Sequence, residues 1–282
     1  MSLACWIVLT WLAFGAMHWL YVLTYARVGR ACGATVQEVK VGFGPTVFRR
    51  TVGGVRYLVK LVPLGGHTKF LEEDEAADPE GVAHSGATPY SQLPASRRVL
   101  IMASGPISTL LLGLILWAVA LALPASEVAV DPGAGVPVRP TGVPGLALTG
   151  RAATVGSLTS LFGGAYIELW RRVVAWDSLV GWGGSLTWIV TCAEVAVRSP
   201  AAWPTCLGAV CLGNALINLV PIPPLSGGRI ALYLLETAVG RQISPLTQAT
   251  STIGIIVLLL FWLRVGYADL MWFARWVLAM AT

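Results

Sequence analysis

Long apolar stretches separated by polar loops are the dominant pattern along this chain. Residues 3–25, 99–123 and 246–265 are apolar over a length that crosses a bilayer as a helix, which takes about 20 residues. Residues 203–222 form a further apolar stretch, the third in chain order, which is interrupted by glycines and ends in prolines. The pattern predicts about four core transmembrane helices.

Two weaker apolar segments, residues 158–176 and 179–197, carry charged residues among their apolar positions. A helix with basic residues beside tryptophans is typical of one that lies in the membrane interface. We therefore predict one or two interfacial or re-entrant helices between residues 151 and 200. The stretch before them, residues 124–150, is rich in Pro and Gly and is predicted to be an extended linker.

The polar region between the first two spans has strand character. Three of its segments are rich in β-branched and aromatic residues: 36–40, 46–52 and 55–62. Gly53 and Gly54 lie between the last two segments and form a hairpin turn signal. Residues 63–66, Pro-Leu-Gly-Gly, predict that the edge of this hairpin dips to the membrane.

Composition and charge agree with a membrane protein and orient it. The chain is 56% hydrophobic and 12% charged, whereas soluble domains are about 25% charged. Residues 26–98 hold ten Lys and Arg, against five in residues 124–200. The positive-inside rule therefore predicts a cytoplasmic basic loop, an outside N-terminus and a cytoplasmic loop at residues 223–245. The net charge of +5 is explained by this orientation, and no nucleic-acid partner is expected.

The fold class that we predict is an all-α polytopic membrane protein with a small cytoplasmic, membrane-associated β-hairpin. All of its segments are assigned to one membrane domain over residues 1–282. They are the first span 1–26, the hairpin loop 27–98, the second span 99–123, the linker 124–150, the interfacial or re-entrant helices 151–200, the third span 203–228, the fourth span 246–266 and the tail 267–282.

The run of residues 218–228 is the strongest candidate for a site. It ends an apolar stretch and is dense in helix breakers. A helix unwound at membrane depth is tolerated only where it packs within protein or lines a cavity. Its central residue, Ser226, is a poor metal ligand and a weak nucleophile without an activating partner. The five cysteines lie mostly in apolar surroundings, form no C-x-x-C pair and are predicted to be inert buried thiols.

Five motifs occur in a fixed order along the chain. They are GATVQEVKVGFGP at 33–45, LVPLGGHTK at 61–69, ASGPIS at 103–108, NLVPIPPLSGG at 218–228 and GRQISP at 240–245. Together they resemble the site-2 proteases, intramembrane zinc metalloproteases of bacterial regulated proteolysis. The resemblance implies a site-2 protease-like core. Its structural or binding positions would be Gly65, Gly66, Gly105, Pro106, Asn218, Pro221, Pro223, Leu225, Gly227 and Gly228.

The resemblance also implies a zinc site, and this chain departs from it. In the family, two histidines of an H-E-x-x-H helix and the aspartate of L-D-G hold zinc, and the glutamate activates water. The matching positions here are Tyr21, Val22, Tyr25 and Ser226. We therefore predict no catalytic residue, no metal ligand and no cofactor. The interval 124–150 also stands where many such proteases carry a PDZ domain.

Two interpretations remain for the residues at the former metal positions. Tyr21 and Tyr25 share one helix face, and Ser226 is expected opposite them. In the first, the three hydroxyls form a hydrogen-bonded plug, in which they bond to one another or to carbonyls freed by the prolines of residues 221–224. In the second, the two tyrosines belong to an aromatic belt at the membrane interface. None of the histidines, His18, His67 and His84, opens an E-x-x-H motif. Intramembrane His18 is a functional candidate by default, yet one imidazole with neutral Tyr and Ser is a poor zinc set.

We infer a catalytically inactive membrane protein that acts as a structural or binding subunit of a larger complex in the bacterial cytoplasmic membrane. Its partners would be lipids and other integral membrane proteins. The chain would hold a transmembrane segment of one such protein. The alternative is an active intramembrane metalloprotease with an atypical site. A transporter or cofactor-binding scaffold has only the broken third helix in its favour.

Overall fold

The computed structural model describes most of the chain, with gaps. The residues it describes are 1–71, 88–123, 185–222, 225–240, 253–256, 259–260, 263–264, 266–267, 270–271 and 273–278. Their helices and strands include α1 Leu3–Ala31, β1 Val36–Val52, β2 Val55–Phe70, α2 Ala95–Ala122, α3 Ser185–Arg198, α4 Trp203–Leu219 and α5 Ser226–Val239. Single 3-10 turns cover Tyr90–Gln92 and Pro200–Ala202.

The chain forms two compact units, and α1, α2 and α4 each contribute to both. The site unit comprises residues 11–112 and 211–255. The terminal unit comprises residues 1–10, 113–210 and 256–282.

Three helices among the described residues are long and apolar enough to cross a membrane. They lie at Leu3–Ala31, Ala95–Ala120 and Pro200–Leu219. The first three predicted spans are therefore confirmed as helices, although α1 continues past residue 25 to Ala31. The predicted span 246–265 falls largely outside the described residues, as does segment 158–176. Segment 179–197 is described from residue 185 onward, as α3.

The predicted hairpin is present and is longer than the sequence indicated. Gly53 and Gly54 make its turn with φ angles of 56° and 76°, a left-handed conformation that glycine adopts without steric cost. Residues 38–41 of β1 pair with residues 66–69 of β2 on one side and with residues 56–59 on the other. This bent sheet buries its root, including Val39 and Val41, whereas residues 43–52 are exposed.

The prediction of a loop over residues 223–245 is wrong where the structure describes it, because α5 occupies Ser226–Val239. Gly240 ends this helix at φ 72°, and its N–H donates to the carbonyl of Glu236. Such a left-handed glycine is the usual stop of a helix. The helix buries Ser226, Gly227 and Gly228 together with Tyr233 and Glu236, and it therefore fixes the position of the candidate site.

Candidate functional site

The site is built on α1, where Tyr21 and Tyr25 lie one helical turn apart. Their rings meet edge to face with centroids 5.0 Å apart, and their hydroxyl oxygens are 3.2 Å apart. Tyr25 is buried with 7% of its surface exposed, and Tyr21 is partly buried. The shared face follows from the spacing of four residues. The interpretation of both tyrosines as an interfacial aromatic belt does not describe Tyr25.

Ser226, at the start of α5, joins the two tyrosines. Its Oγ lies 2.5 Å from the Tyr25 hydroxyl and 3.2 Å from the Tyr21 hydroxyl. Close contact between the first turn of α5 and the end of α4 makes this approach possible. A Cβ on Gly227 would lie 2.6 Å from the carbonyl oxygen of Val220, closer than side chains pack. Glycine after Ser226 therefore allows the first turn of α5 to rest on the end of α4.

Asn218, near the end of α4, completes what we call the hydroxyl cluster: Tyr21, Tyr25, Ser226 and Asn218. The Tyr21 hydroxyl donates to Oδ1 of Asn218 at 3.2 Å. The Asn218 amide in turn donates to the carbonyl of Asn214 at 2.8 Å. That second bond points Oδ1 toward the tyrosine, so the amide orientation follows from the network. A role for Asn218 as a partner of Tyr21 was not foreseen from the sequence.

Pro106 explains the partner of the Tyr25 hydroxyl, which donates to the carbonyl of Met102 at 3.0 Å. In an α-helix this carbonyl accepts from the N–H four residues later. That residue is Pro106, which lies inside α2 and has no N–H. The sequence-based expectation placed the freed carbonyls at the prolines of residues 221–224. The carbonyl that Tyr25 contacts is instead freed by the proline of the second core helix.

Gly105 lets α2 approach the tyrosines. A Cβ at this position would lie 2.8 Å from Cζ of Tyr21 and would also overlap the ring of Tyr25. The paired Gly105 and Pro106 thus have separate tasks, close approach and release of a carbonyl.

The three hydroxyls of the cluster supply only three protons. The Tyr21 proton goes to Asn218 and the Tyr25 proton to Met102. The Ser226 proton is then left to bridge to one of the two phenol oxygens. Each donor therefore has an acceptor, and the cluster satisfies itself without an ion.

Val22 occupies the position that the resemblance assigns to the glutamate. It is 1% exposed. A Cβ on Gly66 of β2 would lie 2.6 Å from its Cγ1, and Thr68 donates to its carbonyl at 2.9 Å. At the position that the resemblance assigns to a water-activating carboxylate, Val22 has a methyl group that packs against the hairpin.

A second polar group, which we call the charged cluster, comprises Arg98, Glu236 and Tyr233. Nη2 of Arg98 donates to Oε2 of Glu236 at 2.8 Å, and the guanidinium lies 4.5 Å from the centroid of the Tyr233 ring. Arg98 and Glu236 are 7% and 6% exposed. This ion pair between α2 and α5 was missed because its partners are 138 residues apart.

The other predicted structural positions, and His18, lie outside the two clusters. Gly65 has φ 72°, and a Cβ on it would lie 3.0 Å from the Phe43 ring. Pro221 is exposed, Leu225 precedes the first turn of α5, and Gly228 is buried within that turn. Pro223 lies outside the described residues. Nδ1 of His18 lies 2.8 Å from the carbonyl of Phe14, so one ring nitrogen of this imidazole bonds within its own helix.

The donor set of the hydroxyl cluster does not fit zinc. Zinc is held by thiolate, imidazole and carboxylate ligands. Tyr21, Tyr25, Ser226 and Asn218 offer neutral oxygens that already contact one another or nearby backbone. Across the described ranges, no group of three or more His, Cys, Asp or Glu residues is arranged to hold a metal ion.

Comparison with known proteins identifies relatives over much of the chain. The family profile described as Peptidase family M50 matches residues 12–261. Protease RseP of Yersinia pestis is 33% identical over 118 residues, which is 41% of this chain and 24% of that protein. The regulator of sigma-E protease RseP of Escherichia coli is 33% identical over 98 residues, or 34% of this chain and 21% of that protein. The matched region thus spans about a quarter or less of these two relatives.

Proposed function

The chain belongs to peptidase family M50, and from this premise we propose that it is a non-hydrolytic member that binds a transmembrane segment of another membrane protein. The observation that carries the proposal is the hydroxyl cluster. At the positions that the resemblance assigns to two histidines and an aspartate, Tyr21, Tyr25 and Ser226 bond to one another. Neutral hydroxyls in mutual contact supply neither the ligands nor the base that metal-dependent hydrolysis needs.

Val22 supports the same proposal independently. A general base must be able to take a proton from the attacking water, and an aliphatic side chain cannot do so. Val22 also packs against Gly66 of the hairpin, so the space near it is filled by carbon. Both the metal ligands and the base are thus replaced by groups that stabilise packing.

The outer half of the hairpin supports the binding role. Its large apolar side chains Phe43, Val47, Phe48, Leu61 and Val62 are 40–65% exposed. Arg49 and Arg50 lie on the same half. An apolar surface with basic residues beside it suits a membrane interface or the end of a partner's transmembrane helix. We propose that this half of the hairpin receives the partner in the cytoplasmic half of a bacterial inner membrane.

Metal content tests the loss of hydrolysis. We expect the protein purified in mild detergent to hold far less than one zinc per chain. The matched control restores the family set with Tyr21→His, Val22→Glu, Tyr25→His and Ser226→Asp, and it is expected to gain zinc. Stoichiometric zinc in the wild-type protein would contradict the proposal. So would cleavage of a membrane-spanning peptide that Ser226→Ala abolishes, the outcome expected of an active protease with an atypical site.

Photo-crosslinking tests the binding role. A photoreactive residue is placed at Phe48, which is 51% exposed, and the control is placed at Val39, which is fully buried. We expect Phe48 to crosslink in cells to a discrete integral membrane protein that also co-purifies with the chain. Crosslinks from Phe48 to lipid alone, with no co-purifying protein, would overturn the binding role while leaving the loss of hydrolysis intact.

A further inference from the structure

Two cysteines of the terminal unit lie closer together than separate thiols allow. Cys192 is on α3 and Cys206 is in the first turn of α4, and they are 0% and 1% exposed. Their sulfur atoms are 2.7 Å apart. Carbon atoms in optimal contact are about 3.5–4.0 Å apart, and sulfur is larger than carbon. The two sulfur atoms are therefore closer than a van der Waals contact permits.

A shared metal ion does not explain the distance. Two thiolates at about 2.3 Å from one tetrahedral zinc are separated by about 3.8 Å, well beyond the observed spacing. A covalent bond does explain it, because the sulfur atoms of a disulfide are about 2.05 Å apart. A shift of less than 1 Å would bring the two sulfurs to that distance.

The local backbone holds both cysteines in place. The N–H of Ser199 donates to the carbonyl of Val195, and that of Ala202 donates to the carbonyl of Ser199. This short turn, which includes Pro200, joins α3 directly to α4. Ala193 and Ala196 of α3 pack with Trp203 of α4, so the two helices already touch beside the thiols. Little conformational freedom is left to lose when the bond forms.

We propose that Cys192 and Cys206 form a disulfide bond that ties α3 to the first turn of α4. The thiolate of one cysteine attacks the disulfide of an oxidant, a disulfide-bonded oxidoreductase or small molecule, and releases one oxidant thiolate. The second cysteine thiolate attacks the resulting mixed disulfide, forms the Cys192–Cys206 bond and releases the second oxidant thiolate. Two electrons pass to the oxidant, and the two protons lost by the cysteines pass to its thiols or to solvent.

Burial of both thiols sets the time at which the bond forms. An oxidant cannot reach side chains with 0% and 1% exposure in the folded unit. Oxidation therefore accompanies folding, before α3 packs against α4. In the folded protein the same burial protects the bond from reductant, so reduction requires unfolding. The predicted orientation places this end of α4 outside the cytoplasm, where disulfides persist.

Thiol counting tests the proposal on the whole protein. Membranes are dissolved in denaturant with N-ethylmaleimide immediately after lysis, and adducts are counted by intact mass with and without prior reduction. Of the five cysteines, we expect all except the proposed pair to react without reductant, and all five to react after reduction. Five adducts without reductant would overturn the proposal.

The choice of variants separates this pair from other pairings. Trypsin leaves Cys206 and Cys211 in one peptide, between Arg198 and Arg229, so a peptide map alone is ambiguous. Cys211→Ser is the matched control, since Cys211 is also buried, and the reductant-dependent gain of two adducts should persist. Cys192→Ser and Cys206→Ser should each abolish it. Persistence of the gain in either variant, or its loss in Cys211→Ser, would show a different pairing.

Discussion

The hydroxyl cluster and the charged cluster lie in the same compact unit and both include a residue of α5, yet they stabilise the fold by different means. The hydroxyl cluster joins neutral groups, each of which costs far less free energy to bury than a charge does. The charged cluster buries a full ion pair, Arg98 and Glu236, whose desolvation is costly unless the partners meet. The hydroxyl cluster is therefore expected to lose less stability on a single change than the charged cluster, which depends on both partners being present.

The largest effect is expected from breaking the ion pair. Glu236→Ala or Arg98→Ala leaves one buried charge without its partner and should lower the free energy of unfolding by about 3–5 kcal/mol. Denaturant titration in mild detergent measures this loss. The control is the double variant Arg98→Met with Glu236→Leu, which removes both charges and should recover most of the stability. Single variants that lose less than about 1 kcal/mol would contradict the comparison.

A smaller loss is expected from crowding the hydroxyl cluster. Gly105→Ala places a methyl group 2.8 Å from the Tyr21 ring and should cost about 1–3 kcal/mol in unfolding free energy. Gly213→Ala is the matched control, because no atom lies within 4 Å of a Cβ at that helical position. That variant should be neutral or more stable by up to about 1 kcal/mol. Equal stabilities for the two variants would show that α2 does not need this close approach.

Removing a single hydroxyl should lower the free energy of unfolding, and the loss should be larger for the more buried tyrosine. Tyr25→Phe leaves the Met102 carbonyl without its donor and should cost about 1–2 kcal/mol, measured by the same titration. Tyr21→Phe should cost about 0.5–1 kcal/mol, because Tyr21 is less buried. Tyr267→Phe, where the side chain is 68% exposed, serves as the control and should change nothing. Unchanged stability in the double Tyr21→Phe, Tyr25→Phe variant would contradict a stabilising cluster.

The smallest effect concerns a single charge at the hairpin surface. Partial desolvation, and then the charges of Lys40 and Arg229, lower the pKa of His67 from its ordinary value of 6.5. The unfolded chain therefore binds a proton at higher pH than the folded chain does. Stability should be full above about pH 6.5 and should decline slightly as the pH falls toward the lowered pKa. His67→Gln should remove this part of the pH dependence, and an unchanged profile would contradict it.

Much of the fold could be predicted from patterns of neighbouring residues in the sequence. The apolar runs predicted α1, α2 and α4, because the length and hydropathy of a span are properties of consecutive residues. Gly53 and Gly54 predicted the hairpin turn for the same reason. The prediction failed at α5, where Pro223, Pro224 and the glycines suggested a loop. The signals that pointed to a helix there were its amphipathic pattern from Ser226 and the terminal Gly240.

The sequence predicted three members of the hydroxyl cluster, Tyr21, Tyr25 and Ser226, and the bonds among them, but not the bonds to Asn218 and Met102. The four-residue spacing of Tyr21 and Tyr25 places them on one face, and the family motif brings in Ser226. No pattern in the sequence showed that Pro106 would free the carbonyl that Tyr25 contacts. The same holds for Asn218, whose partner Tyr21 lies 197 residues away.

The sequence by itself determined the apolar spans, the hairpin turn and which residues, Tyr21, Val22, Tyr25 and Ser226, stand at the positions that the resemblance assigns to the metal ligands and the base. These depend on residue identity and on spacing within one element. The tertiary structure alone decided which polar groups meet: Tyr25 with Met102, Arg98 with Glu236, and Cys192 with Cys206. Each pair joins different helices. Distances across helices are set by packing, as where Gly105 lets α2 approach the two tyrosines, and not by the periodicity of either helix.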